Sequence, residues 1–252
     1  MQRPLLTARL EQSSVLSERT QCFHLEFVVE GVDHFSFVPG QFVSLVAEDA
    51  KGKQQTRAYS IASAPDRNRF DLCLNRVEGG FFSNRLADMK VGEELHFHGP
   101  HGLFTLREPL TDAVFVATGT GIAPMRGFVE YLFPESGEDR SQGRQFWLVY
   151  GTRHEGELYY SKYFERIAAE RKNFHYLTTL SRPHEGWEGL RGYVQEHVTE
   201  IVTQYGQTHE KLENAFGIHA YICGLNEMVS ANRERLKSLD WERKQIIFER
   251  YD

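Results

Sequence analysis

The sequence predicts two domains, an N-terminal antiparallel β-barrel and a C-terminal α/β domain built on a doubly wound parallel sheet. Two observations carry this. Over residues 1–108, short alternating apolar–polar runs are separated by proline and glycine turns. Over residues 109–252, continuous apolar runs alternate with segments of helical periodicity. The 252 residues suffice for two domains of ordinary size.

In the first half, Phe23-His24-Leu25-Glu26-Phe27, Phe70-Asp71-Leu72-Cys73-Leu74 and Leu95-His96-Phe97 alternate with period two. Breaks are expected at Val38-Pro39-Gly40, Ala64-Pro65-Asp66, Glu78-Gly79-Gly80 and Gly99-Pro100. A short helix is expected from Ser83, with Leu86 turned inward. Arg107-Glu108-Pro109-Leu110-Thr111 reads as the hinge. Ala113–Ala117 and Phe146–Tyr150 are continuous apolar strands, as when both sheet faces are covered. Between them Met125, Phe128, Val129 and Leu132 fall at helical spacing. Helix 163–171, strand 174–180, helix 194–204, strand 219–223, helix 227–239 and strand 245–248 complete the alternation.

A net charge of -6 and a pI near 6.0 argue against a whole-protein nucleic-acid footprint. Cys22, Cys73 and Cys223 are scattered, show no CxxC spacing and are too few for a four-cysteine cluster. An odd, scattered set also argues against a disulfide framework, so a cytoplasmic location is expected. No run of apolar residues is long enough to span a membrane, and a monomer is expected. His96, His98 and His101 lie close in sequence, but no carboxylate or thiol accompanies them at metal-ligand spacing. They read as a polar strand face, and no metal is expected.

Three motifs carry chemistry. Thr118-Gly119-Thr120-Gly121-Ile122-Ala123-Pro124-Met125 follows an apolar strand and opens a helix. Glycines there let a phosphate approach backbone N–H groups at the positive end of a helix dipole. A turn that merely tightens strand–helix packing has the same local pattern. Arg57-Ala58-Tyr59-Ser60-Ile61-Ala62-Ser63 offers a cation for a diphosphate, a ring for stacking and a hydroxyl. An edge strand with a solvated arginine fits those residues equally. Glu78-Gly79-Gly80-Phe81-Phe82-Ser83-Asn84 leads two glycines into a helix start, a second anion site by geometry or a plain capped turn.

Taken in order, these motifs resemble those of the ferredoxin–NADP reductase family. RAYSIAS is similar to its RxYS motif, GGFFSNRL to its flavin-phosphate motif, GPHGLF to a strand turn and ATGTGIAPM to its dinucleotide loop. YGTR, YICG and the terminal FERYD follow in the family's order. The resemblance implies an FAD-dependent oxidoreductase passing electrons between NADPH and a one-electron carrier, ferredoxin or flavodoxin. The alternatives are a reductase component of an oxygenase and a free flavin reductase. A fused iron–sulfur domain needs more cysteines than the three present.

By that resemblance, Arg57, Ala58, Tyr59 and Ser60 bind FAD, with Arg57 on the diphosphate, Tyr59 against the flavin and Ser60 near flavin N5. Gly79, Gly80, Phe81, Phe82 and Ser83 hold its diphosphate, and Leu74, Asn75 and Arg76 line its tail. Thr118, Gly119, Thr120 and Gly121 cradle the nicotinamide dinucleotide, beside Cys223. Arg153, Ser181, Arg182, Arg191 and Tyr193 fall where relatives meet the 2′-phosphate, which favours NADP over NAD. Glu249 lies near the nicotinamide and Tyr251 stacks on the flavin. Ser60, Cys223, Glu249 and Tyr251 form the expected catalytic set. An acidic carrier should dock on a basic rim, for which Arg85, Lys90 and Arg107 are candidates.

Overall fold

A computed structural model describes residues 4–208 and 217–251. The chain divides into two compact units, Met1–Leu106 with Arg126–Pro134, and Arg107–Met125 with Glu135–Asp252.

The first unit holds strands β1 (Leu6–Ser17), β2 (Cys22–Val29), β3 (Phe42–Glu48), β4 (Gln54–Ser60), β5 (Arg69–Asn75) and β6 (Glu94–His101), with helix α1 (Phe81–Asp88). Every pairing is antiparallel, in the order β4-β3-β6-β1-β2-β5. An isolated Ile61–Leu72 bridge just beyond β4 brings the two end strands together, so the sheet closes as a barrel. Alternate residues point inward. Leu25, Phe27 and Val29 of β2 meet Phe70, Leu72 and Leu74 of β5 and Phe97 of β6 in one core. Leu86 of α1 joins that core, as its sequence spacing predicts.

Two strand expectations change. β1 spans twelve residues although its middle, Glu11-Gln12-Ser13-Ser14, is polar. Register shifts between Leu10 and Gln12 and between Val15 and Ser17 interrupt its alternation, which hides it from a period-two reading. β6 runs through Gly99-Pro100, where a break is expected. Its pairing with β3 shifts register between Phe42 and Ser44, and this bulge accommodates the turn residues without ending the strand.

The second unit holds β7 (Asp112–Thr118), β8 (Phe146–Thr152), β9 (Phe174–Leu180), β10 (Leu190–Arg191), β11 (Ile218–Leu225) and β12 (Ile246–Tyr251). Helix α2 (Ile122–Leu132), whose residues from Arg126 onward belong to the first unit, and helices α3 (Ser161–Glu170), α4 (Val194–Thr208) and α5 (Asn226–Ser238) alternate with these strands along the chain. All ladders are parallel, in the order β10-β9-β8-β7-β11-β12. Val114, Val116, Val149, Ala220 and Ile222 are buried against Val198 and Val202 of α4 and Val229 and Leu236 of α5. No helix of the described residues is long and apolar enough to cross a membrane.

Candidate active site

The order of the second sheet creates one topological switch. β7 is first in sequence, yet it lies between β8 and β11, so the connections on its two sides run in opposite directions. A crevice at the carboxyl ends of β7 and β11 is where such sheets bind ligands. Thr118, Gly119, Thr120 and Gly121 leave β7 there, and Cys223 and Gly224 end β11 beside them. The fit is close at the backbone. A Cβ on Gly121 would lie 2.2 Å from the Cys223 carbonyl oxygen, and one on Gly224 would lie 2.5 Å from Thr118 Oγ1. Only glycine allows either approach.

The terminal strand completes this end of the sheet. Cys223 pairs with Glu249 and Leu225 with Tyr251 in the β11–β12 ladder. The Tyr251 hydroxyl donates to Cys223 Sγ, and the Glu249 carboxylate lies near the same sulfur. Burial, with a smaller contribution from Glu249, pushes the Cys223 thiol far up, so it stays neutral at any physiological pH. Burial thus favours the neutral thiol of Cys223. The expected members Cys223, Glu249 and Tyr251 come together, with Tyr251 directed at the thiol.

A second cluster forms where β8, β9 and β10 end. The Arg182 N–H donates to the Arg153 carbonyl at 3.0 Å, and Ser181 N–H to the Thr152 carbonyl at 3.0 Å. Gly192 N–H reaches back to Leu180 O at 3.0 Å, which brings Arg191 and an exposed Tyr193 alongside. The backbone at Arg153, Ser181, Arg182, Arg191 and Tyr193 therefore lies together at these strand ends. The Arg191 guanidinium donates to the Trp187 carbonyl at 2.8 Å, which holds its orientation. Glu155 faces His184 at 2.9 Å in the same region.

In the first unit, Arg57, Ala58 and Tyr59 line β4, an end strand, and Ser60 is buried. Burial raises the Tyr59 phenol to about 12, opposed by Arg57. Gly79 and Gly80 precede α1, whose Gly80 cap has no side-chain bond and whose first turn has no acidic residue. Ser83 Oγ accepts from Val77 N–H at 3.1 Å, and Asn84 Nδ2 donates to Val77 O at 2.8 Å, which fixes this turn.

Some expected contacts move. Leu74 and Phe82 are buried in the barrel core, so their side chains point away from any ligand on the surface. Phe81 is the exposed member of the pair and meets Phe82 edge-on at 4.9 Å. Arg76 is tied to α1, with Nε donating to Asn84 Oδ1 at 2.9 Å and its guanidinium paired with Asp88. Arg85, a candidate for the basic rim, lines a shallow depression with Asp88, Glu93 and Glu94. His96 and His98 are occupied by Thr7 and by the Pro4 carbonyl, at 3.1 and 3.0 Å.

Sequence reasoning missed a buried polar network. Arg126 donates to the Ala62 carbonyl at 2.6 Å and pairs with Asp71 at 2.9 Å. Asp71 N–H donates to Ser63 Oγ at 3.1 Å, and Ala64 N–H to Glu130 Oε2 at 2.8 Å. The network secures the segment that follows Ser60. His24 lies 3.6 Å from Asp71, and burial, then the Arg126 charge, lowers it to about 3. Asp71 itself is raised, because burial outweighs the Arg126 charge and hydrogen bond. Arg126 directly follows the ATGTGIAPM motif, and that adjacency was its only signal.

Both nucleotide groups fit the residues present. The side-chain-free cap, the acid-free first turn and Arg57 suit a diphosphate, and a Cβ on Gly80 would lie 2.4 Å from Ser83 Oγ. In the second unit Thr118 Oγ1 is buried and finds no hydrogen-bond partner among the described residues, a donor left over at the switch crevice.

Comparison with known proteins agrees. Residues 7–106 match an oxidoreductase FAD-binding domain and residues 115–234 an oxidoreductase NAD-binding domain. Ferredoxin–NADP reductase B of Sorangium cellulosum is 41% identical over 225 residues, covering 86% of each chain. The chain belongs to the ferredoxin–NADP reductase family. Other family relatives are longer. The toluate 1,2-dioxygenase electron transfer component of Pseudomonas putida is 27% identical across 94% of this chain but 64% of its own length. The chain spans 53% of the ferredoxin–NADP reductase of Synechocystis, at 32% identity. Among solved structures, ferredoxin–NADP+ reductase from Plasmodium falciparum superposes with a TM-score of 0.80. It covers 98% of this chain and 96% of its own at 21% identity, a likeness of fold. The predicted barrel plus doubly wound sheet is therefore the observed fold of this family.

Proposed function

We propose that this chain passes electrons between NADPH and a one-electron carrier, a ferredoxin or flavodoxin, by way of FAD. One observation carries the reading most. Thr118, Gly121, Cys223, Glu249 and Tyr251 converge at the switch of a dinucleotide-type sheet, in a chain that also carries an FAD-binding domain. FAD supplies the chemistry, since a flavin takes up two electrons and gives them out singly.

The protein's tasks are binding, orientation and exclusion of water. Arg57 and the α1 turn of Gly79, Gly80 and Ser83 hold the FAD diphosphate. Tyr59 would lie against the flavin and Ser60 would donate toward N5. Ala58, Asn75, Arg76 and Phe81 border the cofactor, and Leu74 and Phe82 support those positions from the core. Thr118, Gly119, Thr120 and Gly121 cradle the nicotinamide dinucleotide. Arg153, Ser181, Arg182, Arg191 and Tyr193 take the 2′-phosphate, which selects NADP over NAD. Tyr251 would stack on the flavin when FAD is bound.

A carrier of acidic surface finds its complement on the second unit. The Arg233 guanidinium lies 3.9 Å over the half-exposed Phe248 ring and Arg250 lies 5.3 Å from it. Burial, then the charges of Arg250 and Arg243, lowers Arg233, opposed by Glu234. These arginines join Arg85, Lys90 and Arg107 as candidates for the rim, and Arg250 directly precedes Tyr251. We place the protein in the cytoplasm as a monomer.

A second reading, the reductase component of an oxygenase, draws on relatives such as the toluate 1,2-dioxygenase component. One set of assays separates the two. The purified chain should be yellow, oxidise NADPH faster than NADH with ferricyanide, and reduce a ferredoxin or flavodoxin. A colourless protein that fails to take up FAD would overturn the proposal. Turnover only with an oxygenase partner would favour the second reading.

A further inference from the structure

Cys22 and Cys73 are separated by 51 residues, yet their sulfurs lie 3.8 Å apart. The register of β2 and β5 produces this proximity. Cys22 is the ladder partner of Asn75 and Cys73 of His24, so the two cysteines are diagonal neighbours across one antiparallel pair. Both are thiols, unlike a structural disulfide, and both are buried, Cys73 with 6% exposure. The third cysteine, Cys223, belongs to the other unit. Scattered spacing in sequence concealed a pair already at van der Waals contact in the fold.

We propose that Cys22 and Cys73 form a dithiol site that peroxide closes to a disulfide. Cys73, at 6% exposure the less buried of the two, is the entry point, because local opening of the barrel wall exposes it before Cys22. Its thiolate attacks one oxygen of hydrogen peroxide; the O–O bond breaks and water leaves, giving a sulfenic acid. The Cys22 thiolate then attacks that sulfur; the S–S bond forms, the S–O bond breaks and a second water leaves. Two thiols and one peroxide become one disulfide and two waters, and the electron pair passes from sulfur to peroxide.

The bridge would tie β2 to β5 at the residues leading into Leu74-Asn75-Arg76. Arg76 N–H already donates to the Gln21 carbonyl at 2.9 Å, so both chain segments flanking the pair are in register. Covalent closure removes the local opening of this strand end. The dithiol chemistry rests on register alone. Its effect on cofactor retention rests on the functional reading, which assigns that segment to FAD.

The test uses the full-length, FAD-loaded protein, treated with hydrogen peroxide, quenched, unfolded and titrated for thiols. The expected result is a fall from three thiols to one, with a Cys22–Cys73 peptide in the non-reduced map and recovery of all three by dithiothreitol. Cys73→Ala and Cys22→Ala should each keep both remaining thiols. Three thiols after treatment would overturn the proposal. So would equal thiol loss in the single variants, or a disulfide found only between chains. Slower FAD release from the oxidised form is expected on dilution; equal release rates would overturn the link to the cofactor and leave the functional reading untouched.

Discussion

Replacing Arg126 by methionine should destabilise the first unit more at neutral than at acid pH. Methionine keeps the length of the apolar stem and removes the charge. The lost contacts are the bond to Ala62 O at 2.6 Å and the ion pair with Asp71 at 2.9 Å, between side chains 15% and 16% exposed. Both side chains are only partly buried, so solvent screens the charge left behind and the loss is about 1–3 kcal/mol. That is a large part of the roughly 5–15 kcal/mol that keeps a domain folded. The pH dependence follows from Asp71. Burial already raises its carboxyl above 3.8, and the Arg126 charge limits that rise. A folded value above the unfolded one means that the folded state binds the extra proton, so stability falls as pH rises through the gap. Without Arg126 the gap widens upward. The deficit of the variant is therefore smaller at about pH 4 than at about pH 7. His24 reinforces the trend, since losing the Arg126 charge eases its protonation at low pH. Urea unfolding of both proteins at the two pH values measures this. A deficit under about 1 kcal/mol at neutral pH, or one equal at both, would refute the buried-pair reasoning. Adding Asp71→Asn to the variant should recover stability, as expected for a directly coupled pair.

Gly121→Ala brings a Cβ to 2.2 Å from the Cys223 carbonyl, so the loop must shift. At about 1–3 kcal/mol of overpacking, KM for NADPH should rise roughly tenfold or more while FAD content is unchanged; steady-state kinetics and flavin absorbance check both. Arg182→Ala and Arg191→Ala should each raise KM for NADPH by about 10- to 100-fold, from about 1.5–3 kcal/mol per charged hydrogen bond, and leave NADH kinetics alone. Equal losses with both dinucleotides would remove these arginines from the 2′-phosphate. Changing Arg233, Arg243 and Arg250 together to glutamine should flatten the salt dependence of ferredoxin-coupled turnover and spare ferricyanide reduction. A salt dependence identical to the parent's would discard that docking surface.

Several elements were legible because their signal is local. Phe174–Leu180 is the strand expected there from the strand–helix alternation, and Met125, Phe128, Val129 and Leu132 are all buried along α2 as their spacing requires. The dinucleotide loop was legible because glycine between a strand and a helix has few other uses at that position. β1 was not, since two register shifts break its alternation. Leu74 and Phe82 were read from motif membership, which does not say which face of a strand or helix a side chain takes.

The sequence by itself determined the two-unit architecture, the parallel and antiparallel character of the sheets, and the chain order of the nucleotide motifs. These follow from hydrophobic period and turn chemistry, which act over a few residues. Only the tertiary structure decided which distant groups meet. Strand register put Cys22 against Cys73, and the switch in strand order put Cys223 and Tyr251 beside the Gly121 loop. Burial joined Arg126 to Asp71. Register, strand order and burial are properties of the whole packed chain, so no window of sequence contains them.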